Sequence, residues 1–172
     1  MDHQQQTIKV NSLEALLVKQ FRTLETLINI SKIERELILD HRTDELMNVV
    51  EQKESVLDQL GLMEEDRRML TEELAAALGL KLQRAGLDEI LTVLETVAAE
   101  RFYRLNEGIL ALVEQARELN MGNQVMARTA IEWLEATQMF LLNVSAPEVA
   151  YSYPGAARRV DSWATRAIDQ RV

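Results

Sequence analysis

From Leu87 to Val144, apolar residues recur at steps of three and four, and no proline interrupts them. That period lays one apolar stripe along one helix. The stripe includes Leu87, Leu91, Leu94, Ala98, Leu105, Ile109, Leu112, Ala116, Leu119, Met126, Ala130, Leu134 and Leu141. At the α-helical rise the segment from Leu87 to Val144 spans about 87 Å. A chain of 172 residues that commits a third of its length to one such element folds as an all-α protein. Six glycines and two prolines leave little material for turns, so the remainder is also expected to be long helix with few connections. One patch of the stripe, Asn120-Met-Gly-Asn-Gln124, has weak helix propensity and is a candidate kink.

Two earlier helices are expected. The first runs from Ser12 to Asp40, with Asn11 as N-cap and Glu14 completing a capping box, and leaves residues 1–11 as a flexible polar arm. Its stripe is Leu13, Leu16, Leu17, Phe21, Leu24, Leu27, Ile28, Ile33 and Leu37. The segment Asp40-His-Arg-Thr-Asp44 breaks it, and Thr43 or Asp44 can cap a second helix ending near Leu78. A heptad frame fits that helix: Leu46, Val49, Lys53, Val56, Leu60, Met63, Arg67, Leu70, Leu74 and Ala77. Lys53 and Arg67 interrupt the apolar seam. Long basic side chains can lie along such a seam and lift their charge to water, so both are read as setting register. Gly79 is a natural C-terminal stop, and residues 79–86 form the first real connection.

The expected architecture is therefore a long antiparallel bundle or coiled coil of three main helices over residues 12–145, followed by a C-terminal amphipathic tail helix within 146–172. The first two helices are much shorter than the third. Part of the third must be covered by the tail, a second copy of the chain, or a partner. Pro147 and Pro154-Gly155 make the junction irregular. Beyond it Ala156, Val160, Trp163, Ala164, Ala167 and Ile168 fall on one helical face. Isolated helices of this length are marginal in water, so the tail is expected to order only against a surface.

Composition narrows the function. The net charge of −9 disfavours nucleic acid and anionic lipid as partners. The tail is distinct: Arg158, Arg159, Arg166 and Arg171 against Glu148, Asp161 and Asp169 give it +1, so the other residues carry −10. With no cysteine, disulfides and thiolate metal sites are excluded, in keeping with a reducing, cytoplasmic setting. The polar N-terminus does not read as a secretory signal, and no apolar run approaches the ~20 residues that span a bilayer. His3 and His41 have no partners spaced to share a metal, and no phosphate-cradling glycine loop or Gly-x-Ser-x-Gly element occurs. The acid pairs, such as Glu64-Glu65-Asp66, read as solvated helix face. Neither an enzyme nor a cofactor site is expected. A partner surface is. Met139-Phe140-Leu141-Leu142 cannot all face one core, and with the deformable Met126 they are the candidate contacts on the long helix. Val160, Trp163 and Ile168 are the candidates on the tail.

Three sequence elements carry a family resemblance. The second helix reads Asp44-Glu-Leu46-x-x-x-Val50-Glu51-x-Lys53-Glu54-x-x-Leu57-x-x-Leu60. The third carries Leu119-Asn120-x-x-Asn123, and Tyr151-Ser-Tyr-Pro-Gly155 follows it. In this order they resemble the FlgN-like chaperones of bacterial flagellar export. The resemblance implies a cytoplasmic chaperone that binds helical terminal segments of hook–filament junction proteins, prevents premature assembly and delivers them to the flagellar type III export gate. It further implies that Tyr151, with Tyr153 near enough to substitute, contacts that gate. The segment after Gly155 does not align to the family. A structural or adaptor coiled coil that dimerises through the long helix is the alternative, which leaves a homodimer open.

Overall fold

The structure, a computed structural model, describes residues 3–80, 87–94 and 96–145. Four helices occur among them and no strand: α1 (His3–Leu39), α2 (Thr43–Ala77), α3 (Leu87–Leu91) and α4 (Thr96–Ser145). The chain divides into two units, Met1–Ile131 and Glu132–Val172.

Within the first unit α1 and α2 are antiparallel. Lys9 Nζ meets Glu73 at 2.8 Å, Gln20 Nε2 donates to Glu64 at 3.3 Å, and Lys53 Nζ meets Glu34 at 2.6 Å. The first part of α4 lies parallel to α1: Arg101 meets Glu14, and Phe21 lies over Gly108, the same offset of 87 residues. Gly108 permits that approach, because a Cβ there would stand 2.8 Å from the Phe21 ring. Two apolar clusters make the core. Leu13 and Leu17 of α1, Leu74 and Ala75 of α2, Leu87 and Ile90 of α3 and Phe102 of α4 form one; Leu24, Leu27, Ile28 and Ala116 form the other. All ten positions of the α2 heptad frame are buried or half-buried, while Met47, Leu57, Leu62 and Met69, off that frame, are exposed.

The first helix starts well before Ser12, contrary to expectation. Asn11 is an exposed position inside α1, and residues 3–11 are helical. Tertiary partners account for this: Gln6 Nε2 donates to the carbonyl of Ala77 at the end of α2, Lys9 pairs with Glu73, and Val10 packs on the first apolar cluster. The Ala77 carbonyl would otherwise be one of the orphans of a helix C-terminus. Ile33, placed on the α1 stripe by its period, is exposed. The third helix is also revised. It is two elements, α3 and α4, separated by a turn at Thr92–Leu94 in which Thr92 Oγ1 donates to the carbonyl of Glu89 and the amide of Val93 to that of Ile90. Neighbouring β-branched residues, Thr92-Val93 and Thr96-Val97, weaken helix propagation here, and the threonine hydroxyl offers the backbone a competing bond. The weak segment Asn120–Gln124 does not interrupt α4, which passes through it as helix.

Both α1 and α2 end in Schellman motifs. At the first, the amide of Arg42 donates to the Leu37 carbonyl and that of His41 to Ile38; at the second, Leu80 donates to Ala75 and Gly79 to Ala76. Gly79 adopts the required left-handed backbone with φ 73°, but at the first motif the residue is His41, at φ 56°. A side chain in this region is strained and glycine is not. His41→Gly is therefore expected to raise stability by about 0.5–1 kcal/mol, or roughly 1–4 °C in melting temperature. An unchanged or lowered melting temperature would mean that the imidazole compensates for the strain.

Candidate functional site

Three features of the described residues are candidates for function, and the first is a polar layer across the bundle. Lys53 of α2 donates to Glu34 Oε2 at 2.6 Å and to Asn120 Oδ1 at 2.8 Å. Asn123 donates to the same Glu34 oxygen and to the Ser31 carbonyl, each at 2.7 Å, and accepts from Arg35 Nε at 3.0 Å. The Lys53 and Glu34 side chains are only 11% and 12% exposed. Lys53 thus does not lift its charge to water as its seam position suggested, because Glu34 pairs with the charge in place and Asn120 accepts a second bond from it. The layer also explains the weak helix residues at 120–123. Asn120 and Asn123 supply its bonds, and at Gly122 a side chain would collide with the Arg35 guanidinium. Arg67, the other basic seam residue, bonds Glu64 on its own helix, and that bond holds the Glu64 carboxyl below its usual pKa.

Next to the layer, an open groove of about 340 Å³ runs between α2 and α4 with α1 as its floor. Its walls are apolar: Leu24 and Leu27 of α1, Leu57 and Leu60 of α2, Ile109 and Val113 of α4. Gln20 and Glu64 line it at one end, Ser31, Lys53, Arg117 and Asn120 at the other. Two buried oxygens on it have no hydrogen-bond partner, Gln20 Oε1 and Ser31 Oγ.

The third feature is the end of α4. Steps of three and four run unbroken along α4 through Phe102, Leu105, Ile109, Leu112, Ala116, Leu119, Asn123, Met126, Ala130, Trp133, Thr137, Phe140 and Val144. Positions up to Ala130 are buried or half-buried. In the second unit every described side chain from Glu132 to Val144 is exposed except Thr137, which is half-buried. Trp133 is 72% and Phe140 65% exposed.

A profile of the FlgN protein family matches residues 1–159. The chain belongs to the FlgN family. Neither the curated proteins nor the solved structures compared with it gave a match. FlgN membership makes the chain, in general terms, a flagellar export chaperone. None of the described helices of this FlgN chain is long and apolar enough to cross a membrane.

The contacts anticipated from the sequence separate in this FlgN chain. Met126 is half-buried in the first unit, whereas Met139, Phe140, Leu141 and Leu142 are exposed in the second. Phe140 lies on the seam of α4 with Leu141 beside it; Met139 and Leu142 fall elsewhere on the helix surface. Tyr151, Tyr153, Val160, Trp163 and Ile168 lie outside the described residues, as do the tail helix and its junction. The motif residues Lys53, Asn120 and Asn123 meet one another in the polar layer, which makes them internal struts. Glu34, Arg35, Gln20 and Ser31 escaped the sequence reading. A heptad frame carried along α1 would have found three of them: Leu13, Leu17, Gln20, Leu24, Leu27, Ser31, Glu34, Ile38 keeps the period, with three polar residues on an otherwise apolar seam.

Proposed function

We propose that this FlgN-family chain is a cytoplasmic chaperone that binds helical terminal segments of hook–filament junction proteins, keeps them from premature assembly and delivers them to the flagellar type III export gate. The observation that carries the reading is the uncovered seam at the end of α4. Trp133, Phe140 and Val144 continue the period that packs the rest of the helix, yet stand exposed, with Leu134 and Leu141 beside them. A regular apolar helix stripe left in water is suited to a partner helix of the same period. Met126, Met139, Phe140, Leu141 and Leu142, with Val160, Trp163 and Ile168, are the proposed client contacts, and Tyr151 and Tyr153 the proposed gate contacts. The same seam would also suit a second copy of the chain, the structural coiled-coil reading, which the mass of the free protein in solution distinguishes.

The test is binding of purified hook–filament junction proteins to the full chain. Buried aromatic anchors dominate helix-in-groove interfaces, each contributing about 2 kcal/mol or more. Trp133→Ala with Phe140→Ala is expected to weaken client binding by about 100-fold or more. Helicity and melting temperature should barely move, because both side chains are exposed. Tyr151→Ala with Tyr153→Ala should weaken binding to the export gate and leave client binding intact. No client binding by the wild-type chain, or full binding by the aromatic double variant, would overturn the reading.

A further inference from the structure

We propose that the groove between α2 and α4 is a second client site, which takes three turns of an amphipathic helix bearing hydrogen-bond donors at its two ends and basic residues beside its apolar face. The proposal rests on the chaperone reading above and names what this separate surface recognises.

Length is the first argument. The residues lining the groove run from Gln20 to Ser31 on α1, from Lys53 to Glu64 on α2 and from Ile109 to Asn120 on α4, twelve positions and eleven steps on each helix. Eleven helical steps are about 16 Å, or three turns. The volume of about 340 Å³ holds the side chains of one helix face; the incoming backbone would lie outside, across the lip. That lip is accessible, since Leu57 is 47% exposed.

Polarity is the second. Gln20 is 5% exposed and Ser31 1%. The Glu64 carboxylate can only accept, so the Gln20 amide nitrogen faces it and the amide oxygen is left over. The Ser31 hydroxyl is left over too, although its backbone carbonyl is used by Asn123. A buried polar atom without a partner is disfavoured, and these two sit eleven residues apart with only apolar wall between them. Both are already out of contact with water in the free chain, and a purely apolar occupant would leave them unpaired. An occupant with an amide side chain at each end of a three-turn apolar face would satisfy both.

Charge is the third. From Glu54 to Glu65, α2 carries four carboxylates and no cation. Glu64 and Glu65 are paired with Arg67 and Arg68, but Glu54 and Asp58, which bracket Leu57 in the sequence, are exposed and without an ion pair. Of the two cations that line the groove, Lys53 is held by Glu34 and Arg117 stands 3.9 Å from Glu114, so on a chain of net charge −9 the unpaired carboxylates of α2 favour lysine or arginine on that side of the occupant's apolar face.

The test uses the full chain. It has no cysteine, so Leu57→Cys places a single thiol at the lip. The probe is a synthetic amphipathic helix with leucines at steps of three and four, glutamines eleven positions apart and flanking lysines. It is expected to slow alkylation of that thiol by N-ethylmaleimide tenfold or more at saturation. The same peptide with both glutamines replaced by leucine should bind about tenfold or more weaker, the usual effect of leaving buried partners unpaired. On a Gln20→Leu chain, or on Ser31→Ala should that variant fold poorly, the preference for glutamine at the matching end should disappear. A merely structural role for Gln20 would lower stability without erasing that preference. Four outcomes overturn the proposal: alkylation indifferent to the peptide, equal binding of the glutamine and leucine peptides, slow alkylation of the free chain at every concentration (its own residues fill the groove), and slowing that grows with chain concentration (a second copy fills it). If junction proteins bind the chain while the Leu57→Cys thiol stays fully reactive in the complex, the chaperone reading stands and this one falls. Peptide shielding without any junction-protein binding is the reverse case.

Discussion

Replacing Phe102 by alanine is expected to lower stability by about 3–5 kcal/mol, a fall of roughly 6–20 °C in melting temperature for a chain of this length. The ring is fully buried, and its cluster draws on every helix of the first unit: Leu13 and Leu17 of α1, Leu74 and Ala75 of α2, Leu87 and Ile90 of α3. Its removal therefore leaves a cavity that no single helix can close by shifting. Phe102→Leu, which keeps most of the volume, should lose less than half as much. α3 is a single short turn of helix, held by the buried Leu87 and Ile90, so amides around Ile90 should gain hydrogen-exchange rate before those in the middle of α1. Denaturant unfolding measures the first quantity. A loss below about 1 kcal/mol would show that α4 does not depend on this cluster for its position.

Breaking the Glu34–Lys53 pair has the next largest expected effect. Glu34→Leu leaves the Lys53 ammonium with Asn120 alone and strips Asn123 of one acceptor, in a place where both charged side chains are nearly nine-tenths buried. Removing one partner of a buried pair typically costs about 3–5 kcal/mol; the residual exposure here places the expectation at the lower end, about 3 kcal/mol. Lys53→Met should cost somewhat less, because Asn123 still serves the carboxylate. The double variant Glu34→Leu with Lys53→Met removes both charges together and is expected within about 1 kcal/mol of the natural protein, since neutral replacement of a buried pair is often nearly free. The signature is thus a loss in the double variant far below the sum of the two single losses. Additive losses in the double variant would mean that each side chain acts through packing rather than through the other's charge.

The layer shows where sequence reading succeeds and where it stops. Lys53 and the asparagines at 120 and 123 were singled out from the sequence, the first as an interruption of a heptad seam and the others by family resemblance. Their partner Glu34 was not, although it interrupts the α1 seam in the same way as Lys53 interrupts that of α2. The groove was invisible for a different reason. Each wall is an ordinary amphipathic face, and only the spacing of three helices leaves room between them. The exposed Phe140 and Leu141 were legible, because four consecutive apolar residues on a helix must point in several directions whatever packs against them.

What the sequence by itself determined is local and periodic. Scarce glycine and proline with steps of three and four dictate helices; the α2 frame from Leu46 to Ala77 dictates which side of that helix is buried; Gly79 dictates a stop. The tertiary structure alone decided the register between helices. The Gln6 side chain on the Ala77 carbonyl carries α1 back to His3, and Asn123 on Glu34 and Ser31 keeps a poor helix segment helical. The Schellman turn at His41 is held by backbone bonds despite its strained φ. The physical reason is range. A helical period is set by neighbours three and four residues away, whereas pairs such as Gln6 with Ala77 or Ser31 with Asn123 are joined only once whole helices have chosen how to slide against one another.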